Sequence, residues 1–209
     1  MNFDLTTLAP REAYKLLTGV VVPRPIALVT SRGENGMLNA APFSFFNLVG
    51  SNPPLVVLGV GNKSEATPKD TATNIRSARE FVVNMVPQEL VGAMNICAVD
   101  FPAEISEIEA AGLEIAPSSH IATPRLARTP AALECREHST LFIGQNRLII
   151  GEVVALYIRD EWVDADKNYV QSAALKLVGR MGGAGGYTDT SGTFELARIS
   201  FEEWKNGAR

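Results

Sequence analysis

The chain has 209 residues, 46% of them hydrophobic and 20% charged, with a formal net charge of −4. This composition predicts a soluble globular protein of one domain with a substantial core. An acidic chain with scattered Lys and Arg is not expected to bind nucleic acid, and the lack of a run of about 18 apolar residues argues against a membrane helix. Cys97 and Cys135 lack CxxC spacing, which predicts reduced structural thiols in a cytoplasmic protein.

The first elements in chain order are a helix and a hairpin. Helical spacing covers residues 7–18, with Thr7 as a cap and Pro10 in the first turn. A buried strand follows at residues 26–31, and a Gly-containing turn at residues 34–36 reverses the chain. We therefore expect the fold to begin with two antiparallel strands.

The strand that returns from this turn is a first candidate site. Its residues are mostly small and are followed by an aromatic: Asn39, Ala40, Ala41, Pro42, Phe43, Ser44 and Phe45. Small side chains would let a flat ligand approach the backbone, whose amides could hydrogen-bond the carbonyls and nitrogens of a ring. The same residues also suit a strand connection that only packs closely, so the residues alone leave both interpretations open.

Short strands and helices follow in irregular alternation. Strands are predicted at residues 55–60, 80–85, 131–138, 140–143 and 147–159, and helices at residues 70–78, 88–99 and 106–111. Residues 100–130 are rich in loops and their role stays open, and residues 177–200 place a Gly-rich loop between two short extended segments. Many short strands without long alternating helices predict a closed or partly closed barrel, not a doubly wound sheet.

The start of the helix at residue 70 is a second candidate site. A helix start offers free backbone amides and the positive end of a dipole, Lys69 adds charge and Thr71 a hydroxyl, and this combination suits a phosphate. Its remaining polar members are Asp70 and Asn74, and further candidate phosphate ligands at the end of the first strand are Thr30 and Ser31. Helix capping by Asp70 and ordinary hairpin chemistry explain the same residues without a ligand.

The Gly-rich loop between Arg180 and Tyr187 is a third candidate. It has neither the Gly-Lys-Ser/Thr of a P-loop nor the spacing of a dinucleotide fingerprint. Arg180 could contact a phosphate or a ring carbonyl and Tyr187 could stack on a ring, although a Gly-rich loop is by default only flexible. With His120 and His138 as the only histidines, the sequence predicts no metal site and no catalytic nucleophile or general acid–base residue.

Together these segments resemble the flavin reductase-like family, whose domain is an FMN-binding split β-barrel. The resemblance covers residues 23–47, 51–60, 69–86, 148–158 and 179–196 in the family's order. Within the family, the chain is most similar to the branch described as flavoredoxin-like or nitrilotriacetate monooxygenase component B-like.

The resemblance implies a mainly β fold with flanking helices, as a six-stranded antiparallel split barrel of Greek-key type. We expect a single domain over residues 1–209, with a core at about residues 20–160 and an extension at residues 161–209. It also implies FMN shared between the subunits of a homodimer. Residues 69–71 would then lie beside the flavin phosphate and residues 39–45 around its ring, with Arg180 and Tyr187 nearby.

The implied activity is that of an NAD(P)H-dependent flavin reductase, which passes electrons from NADH or NADPH through FMN to free flavin, a monooxygenase or another acceptor. Many flavin reductases carry Gly-Asp-His before a long strand, where this chain has Gly144, Gln145 and Asn146. Because of this departure, two alternatives stay open: a flavoredoxin-like FMN electron carrier without direct nicotinamide activity, and a flavin-binding protein without turnover.

Overall fold

Strands dominate the computed structural model, which describes residues 1–65, 67–102 and 104–207. The strands are β1 (Arg24–Pro25), β2 (Ala27–Arg32), β3 (Leu38–Phe43), β4 (Phe46–Ser51), β5 (Pro54–Gly61), β6 (Glu80–Met85), β7 (Ile115–Ala116), β8 (Arg125–Leu126), β9 (Ala131–Ile143), β10 (Asn146–Ile158), β11 (Val163–Asp164), β12 (Tyr169–Val170), β13 (Val178–Arg180) and β14 (Tyr187–Asp189).

The helices are short and lie around these strands. They are α1 (Pro10–Val20), α2 (Asp70–Ala78), α3 (Val91–Ile96), α4 (Glu107–Ala110) and α5 (Phe201–Lys205), with single 3₁₀ turns at Gln88–Leu90 and Asp160–Trp162. None of the helices in the described part of the chain has the length and hydropathy that a membrane span requires. The mainly β fold with flanking helices predicted from the sequence is confirmed.

The largest sheet closes on itself as an antiparallel barrel. Its strand order is β3-β2-β6-β9-β10-β5-β4, so β3 and β4 occupy opposite edges. Only Ser44 and Phe45 separate these two strands in the chain, and so short a link spans at most about 11 Å. The two edges must therefore approach each other at the link, and the Gly59 amide of β5 extends the β4–β5 pairing into it by donating to the Phe45 carbonyl over 2.7 Å.

Two strands differ from their sequence predictions. The sheet has seven strands instead of six, because β4 forms where a loop was expected. β4 lies at an edge with mostly exposed side chains, so its sequence lacks the alternation that identifies half-buried strands. β9 is continuous where two strands were predicted, because a register shift opposite Ile150 and Gly151 accommodates His138 as a bulge.

Two helices also differ from their predicted ranges. α1 begins at Pro10, because the Thr7 hydroxyl is engaged by the Asp4 carbonyl (2.9 Å) and the chain before Ala9 turns away from the helix. Residues 88–99, predicted as one helix, divide into the 3₁₀ turn and α3. The helices predicted at residues 70–78 and 106–111 are confirmed as α2 and α4.

The barrel interior is apolar and is covered at one end by α2. The core contains side chains of six strands, among them Val29, Phe43, Leu58, Val83, Cys135 and Ile149. Ala72 and Ile75 of α2 belong to the same core. Phe81 is fully buried against Gly151, where a Cβ atom would lie only 2.5 Å from the ring. The ring thus occupies the space of the missing side chain, and α2 is held at the barrel end by apolar contacts.

A second apolar layer covers the outer face of β2 and β3. It includes side chains of α3, α4, β8 and β13 (Met94, Ile108, Leu126 and Val178) and Leu113 from the segment after α4. Asn84 links this layer to the barrel, because its side-chain amide donates to the Leu28 carbonyl (2.9 Å) and its oxygen accepts from the Leu126 amide (2.7 Å). The chain from α4 to β8 therefore packs against the strands that carry the first candidate site.

Candidate functional site

The first and second candidate sites meet at the end of the barrel. Ser31 of β2 and Asn39 of β3 are paired across the two strands, so their side chains share a face. The hydroxyl of Thr71 donates to Asn39 Oδ1 over 3.0 Å, and Asn74 Nδ2 donates to Ser31 Oγ over 3.2 Å. The start of α2 is therefore attached directly to the small-residue strand.

A buried carboxylate completes this network. Asn39 Nδ2 donates to Glu107 Oε1 over 2.8 Å, and the Ala40 backbone amide donates to Oε2 over 3.3 Å. β3 is an edge strand, so the carboxylate of α4 takes the place of a neighbouring strand at this point. Burial raises the pKa of Glu107, while the hydrogen bond from Ala40 acts in the opposite direction. The sequence did not single out Glu107, because nothing local to α4 shows that it reaches β3.

A cleft opens beside this network. The residues that line it come from β3 (Asn39, Ala41, Pro42 and Phe43), from the start of α2 (Lys69, Asp70 and Thr71), from the segment Cys97, Ala98, Val99, Asp100 and Phe101, and from Lys63 and Glu107. The cavity volume is about 150 Å³. Its floor is small and apolar along β3, and its polar groups concentrate at the start of α2.

The helix start contributes positive potential to the cleft. Lys69 holds the cap position without a side-chain cap, and the first amides to find an intrahelical acceptor are those of Ala72 and Thr73. The amides of Asp70 and Thr71 precede them and have no intrahelical acceptor. Lys63, which the sequence did not single out, forms an ion pair with Asp70 (2.6 Å) at the same place. Two lysines therefore lie here against one helix-start carboxylate.

Two predicted residues of β2 and β3 lie on the outer face of the barrel, away from the cleft. Thr30 is fully buried on the opposite side of β2, where its hydroxyl donates to the Pro124 carbonyl over 2.7 Å. Ala40 pairs with Thr30 across the strands, so its side chain shares that outer face and packs into the second apolar layer. Side chains alternate along a strand, and this alternation separates them from Ser31 and Asn39.

The Gly-rich hairpin is connected to the barrel link and not to the cleft lining. Arg180 donates within its own hairpin, to the Gly186 carbonyl (2.7 Å) and the Gly183 carbonyl (3.3 Å), and its guanidinium lies 4.9 Å from the centre of the Tyr187 ring. Arg24 joins this hairpin to Ser44 by donating to the Met181 carbonyl (3.3 Å) and to Ser44 Oγ (3.4 Å).

The Phe45 ring lies against α1. It meets the Tyr14 ring edge-on at 6.2 Å and remains half exposed. The predicted site residues thus form three groups: the cleft and its network, the outer face of β2 and β3, and the link with its hairpin.

Neither cysteine has the character of a redox group. Both thiols are free and buried. Burial raises the pKa of Cys97 to about 12 and also raises the pKa of Cys135, so both are protonated at neutral pH. Within the described ranges no group of His, Cys, Asp and Glu side chains has an arrangement that could hold a metal ion.

Comparison with known proteins assigns the family. Residues 19–174 match the flavin reductase like domain. An uncharacterized protein of Deinococcus radiodurans is 50% identical over 98% of this chain and 92% of its own length. The structure of nitrilotriacetate monooxygenase component B from Bacillus cereus is similar with a TM-score of 0.89 and 33% identity, covering 94% of this chain and 98% of that chain.

A second solved structure is similar to the same extent. The 2-nitrobenzoate 2-nitroreductase of Pseudomonas fluorescens has a TM-score of 0.88 and 39% identity, covering 96% of this chain and 98% of that chain. Because the family match spans well over half of its residues, the chain belongs to the flavin reductase-like family. The predicted family and its monooxygenase component B-like branch are confirmed.

Proposed function

We propose that the chain is an FMN-dependent oxidoreductase in which the cleft between β3, α2 and residues 97–101 holds the flavin. The observation that carries this proposal is the hydrogen bond from Thr71 to Asn39, which joins a helix start rich in donors to a strand of small residues. A phosphate and a flat ring are the two parts of FMN that these surfaces suit.

The donor set at the helix start suits the phosphate end. The amides of Asp70 and Thr71 lack intrahelical acceptors, and Lys63 and Lys69 line the same cleft. The Thr71 hydroxyl does not belong to this donor set, because it is buried and donates its proton to Asn39. In this proposal Thr71 therefore serves the phosphate through its backbone amide, and its hydroxyl fixes the helix to the strand.

The strand suits the ring end. Ala41 and Pro42 are half-buried and small, so a planar ring could lie against them without displacing a side chain. Asn39 keeps its amide oriented, because its oxygen accepts from Thr71 and its nitrogen donates to Glu107. Val99 and Phe101 line the same cleft and could cover part of the ring. Bound FMN supplies hydride acceptance and electron release, and these residues bind and orient it.

A homodimer is part of this proposal. The cavity of about 150 Å³ in one chain is smaller than the roughly 300–1,000 Å³ of typical small-molecule pockets. A second copy could cover the remainder of the flavin. Large apolar side chains are also exposed on β4 and at the end of β9: Leu48, Val49, Leu141 and Ile143. A self-complementary interface would bury such side chains.

The proposed electron donor is NADH or NADPH, and the proposed acceptors are free flavin, a flavin-dependent monooxygenase or a nitroaromatic compound. The last two follow from the two similar solved proteins, which share 33% and 39% identity with the chain. The single-domain organisation with a core and a C-terminal extension stays a prediction, as does the cytoplasmic location.

A second candidate is an FMN electron carrier that a partner protein reduces. It is favoured by Gly144, Gln145 and Asn146 at the tip between β9 and β10, where many family members carry Gly-Asp-His. No imidazole is then available at this tip to contact a nicotinamide. The remaining alternative, flavin binding without turnover, has no observation of its own in its favour.

The visible absorption spectrum of the purified protein, repeated after anaerobic addition of NADPH or NADH, tests the proposal. We expect a flavin spectrum that bleaches on addition of one of the two nucleotides. A flavin spectrum that does not bleach favours the electron carrier. A colourless protein that takes up no added FMN would overturn flavin binding altogether.

A further inference from the structure

A second cavity lies on the other side of α2. Its volume is about 240 Å³, and its helical wall is formed by Ala72, Arg76 and Arg79. Ala72 and Arg76 are four positions apart and lie along one stripe of the helix, and Arg79 follows at its left-handed C-cap. Thr71 and Asn74 belong to a different stripe, which faces the barrel end and the cleft. One helix therefore separates two distinct cavities.

Positive charge is concentrated in this second cavity. A third arginine, Arg147 of β10, lines it together with Arg76 and Arg79, and Glu137 is the one acidic side chain among its lining residues. Glu137 Oε1 accepts from the Thr140 hydroxyl (2.6 Å), and Oε2 forms an ion pair with Arg79 (2.7 Å) that lacks hydrogen-bond geometry. In the described ranges, neither Arg76 nor Arg147 forms an ion pair.

The rest of the cavity wall is apolar. Phe142 lies beside Arg147, whose guanidinium carbon is 5.3 Å from the centre of the ring. Ile149 and Ala72 continue the wall down to the barrel core, where both are buried. The cavity therefore combines guanidinium groups, which recognise carboxylates and phosphates, with a surface that suits a ring or a hydrocarbon body.

Helix stability explains only part of this arrangement. Arg76 and Arg79 lie in the last turn of α2 or at its C-cap, where positive charge interacts favourably with the helix dipole. Glu137 accounts for the position of Arg79. Neither explanation applies to Arg147, which comes from a strand and donates to the Asn62 side chain instead of to an acidic partner.

We propose that this arginine cavity binds a small organic anion, with its phosphate or carboxylate group on Arg76 and Arg147 and its ring against Phe142. Two sources supply that chemistry: the ribose phosphate of a dinucleotide and the carboxylate of an aromatic acid. Binding itself does not depend on flavin. Only the interpretation of the anion as electron donor or acceptor rests on the proposed function.

Isothermal titration calorimetry of the purified full-length chain tests the site. The probes are adenosine 2′-phosphate, benzoate and inorganic phosphate, with adenosine as the uncharged control. We expect saturable binding of one of the two ring-bearing anions and none of adenosine. The stronger of the two ring-bearing probes identifies the source, and binding of inorganic phosphate alone would contradict the role of the apolar wall.

Variants locate the binding. Arg76→Gln combined with Arg147→Gln should lower the affinity for the anion by at least about tenfold, since each substitution removes charge-assisted hydrogen bonds. Arg11→Gln combined with Lys15→Gln, which removes two positive charges from exposed α1, should leave the affinity unchanged. Lys69→Ala shows whether a probe binds at the helix start on the other side of α2 instead. If the double variant does not fold, Arg76→Gln alone serves, because its side chain is exposed.

Three results would overturn the proposal. They are the absence of saturable binding, equal affinity in the double variant and the wild type, and a loss caused by Lys69→Ala instead. A change of subunit stoichiometry in the double variant without any effect on anion binding would assign the arginines to carboxylates of a second copy. Because these measurements need no flavin, their outcome is independent of the spectrum that tests the proposed function.

Discussion

The polar side chains on the two sides of α2 differ in whether they have partners within the protein. On the cleft side, Thr71 and Asn74 donate to partners on β2 and β3, and Asn39 uses both ends of its amide. On the arginine side, Arg79 pairs with the buried Glu137 carboxylate, whereas Arg76 and Arg147 form no ion pair within the described residues. Buried polar groups must be hydrogen-bonded, whereas exposed charges can be left to solvent or to a ligand. The hydrogen-bonded side chains on the cleft side therefore position the backbone, whereas Arg76 and Arg147 are left for the proposed anion.

The largest effect is expected from removing the centre of the cleft network. Asn39→Ala would leave the Thr71 hydroxyl and one Glu107 oxygen without their partner, which should lower the free energy of unfolding by about 2 kcal/mol. Asn95→Ala on the exposed face of α3 is the matched control and should change it little. Urea unfolding at neutral pH measures both. Equal midpoints would show that the network does not position the strand.

The next effect concerns ligand binding without a change in stability. Lys69→Ala should weaken FMN binding by about tenfold, because it removes a positive charge at the helix start. The free energy of unfolding should change by less than about 0.5 kcal/mol, since the side chain caps nothing. Flavin fluorescence titration gives the affinity, with Lys15→Ala on α1 as control. Identical affinities in the two variants would remove the helix start from the flavin site.

A smaller difference in the free energy of unfolding is expected between variants at two arginines of the same cavity. Arg79→Gln should destabilise the fold by about 1 kcal/mol, because it removes the ion-pair partner of a carboxylate whose side chain is only 3% exposed. The value is modest because the Arg79 side chain is itself 60% exposed. Arg76→Gln should cost less than about 0.5 kcal/mol. Thermal or urea unfolding of the two single variants decides whether only Arg79 stabilises the fold.

The smallest effect is a pH dependence on the cleft side. Burial raises the pKa of Glu107 above its usual value of 4.5, so the folded state binds this proton more tightly than the unfolded state. The stability that Glu107 contributes is therefore fully present below that usual value and decreases as the pH rises through the folded pKa. Glu107→Gln lacks this titration.

The stability difference between wild type and Glu107→Gln should consequently move in favour of the variant as the pH rises from about 4 to about 7. Urea unfolding at several pH values measures this stability difference. The contributions of all other carboxylates cancel, because both proteins contain them. A constant difference would mean that hydrogen bonds from Asn39 and Ala40 fully offset the cost of burial.

Much of the region around the cleft could be predicted from local sequence. The turn at residues 34–36 and the strands on either side follow from the Asn-Gly pair and the small β-branched residues before it. α2 and β6 begin and end where their sequence patterns indicated. β4 could not be predicted, because an exposed edge strand has no apolar alternation. It forms because β5 supplies its backbone hydrogen-bond partners.

The sequence by itself determined the first hairpin, α2 and most of the strands, because turns, strand periodicity and caps act over a few residues. The family and the helix start beside the small-residue strand were expected from the resemblance of whole segments to that family. Only the tertiary structure decided which side chains share a face and a partner. It assigned Thr30 to the outer layer, brought Glu107 to Asn39 from 68 positions away in the chain, and gathered Arg147 with the arginines of α2. These are contacts between distant segments, set by strand pairing and packing, and no local pattern encodes them.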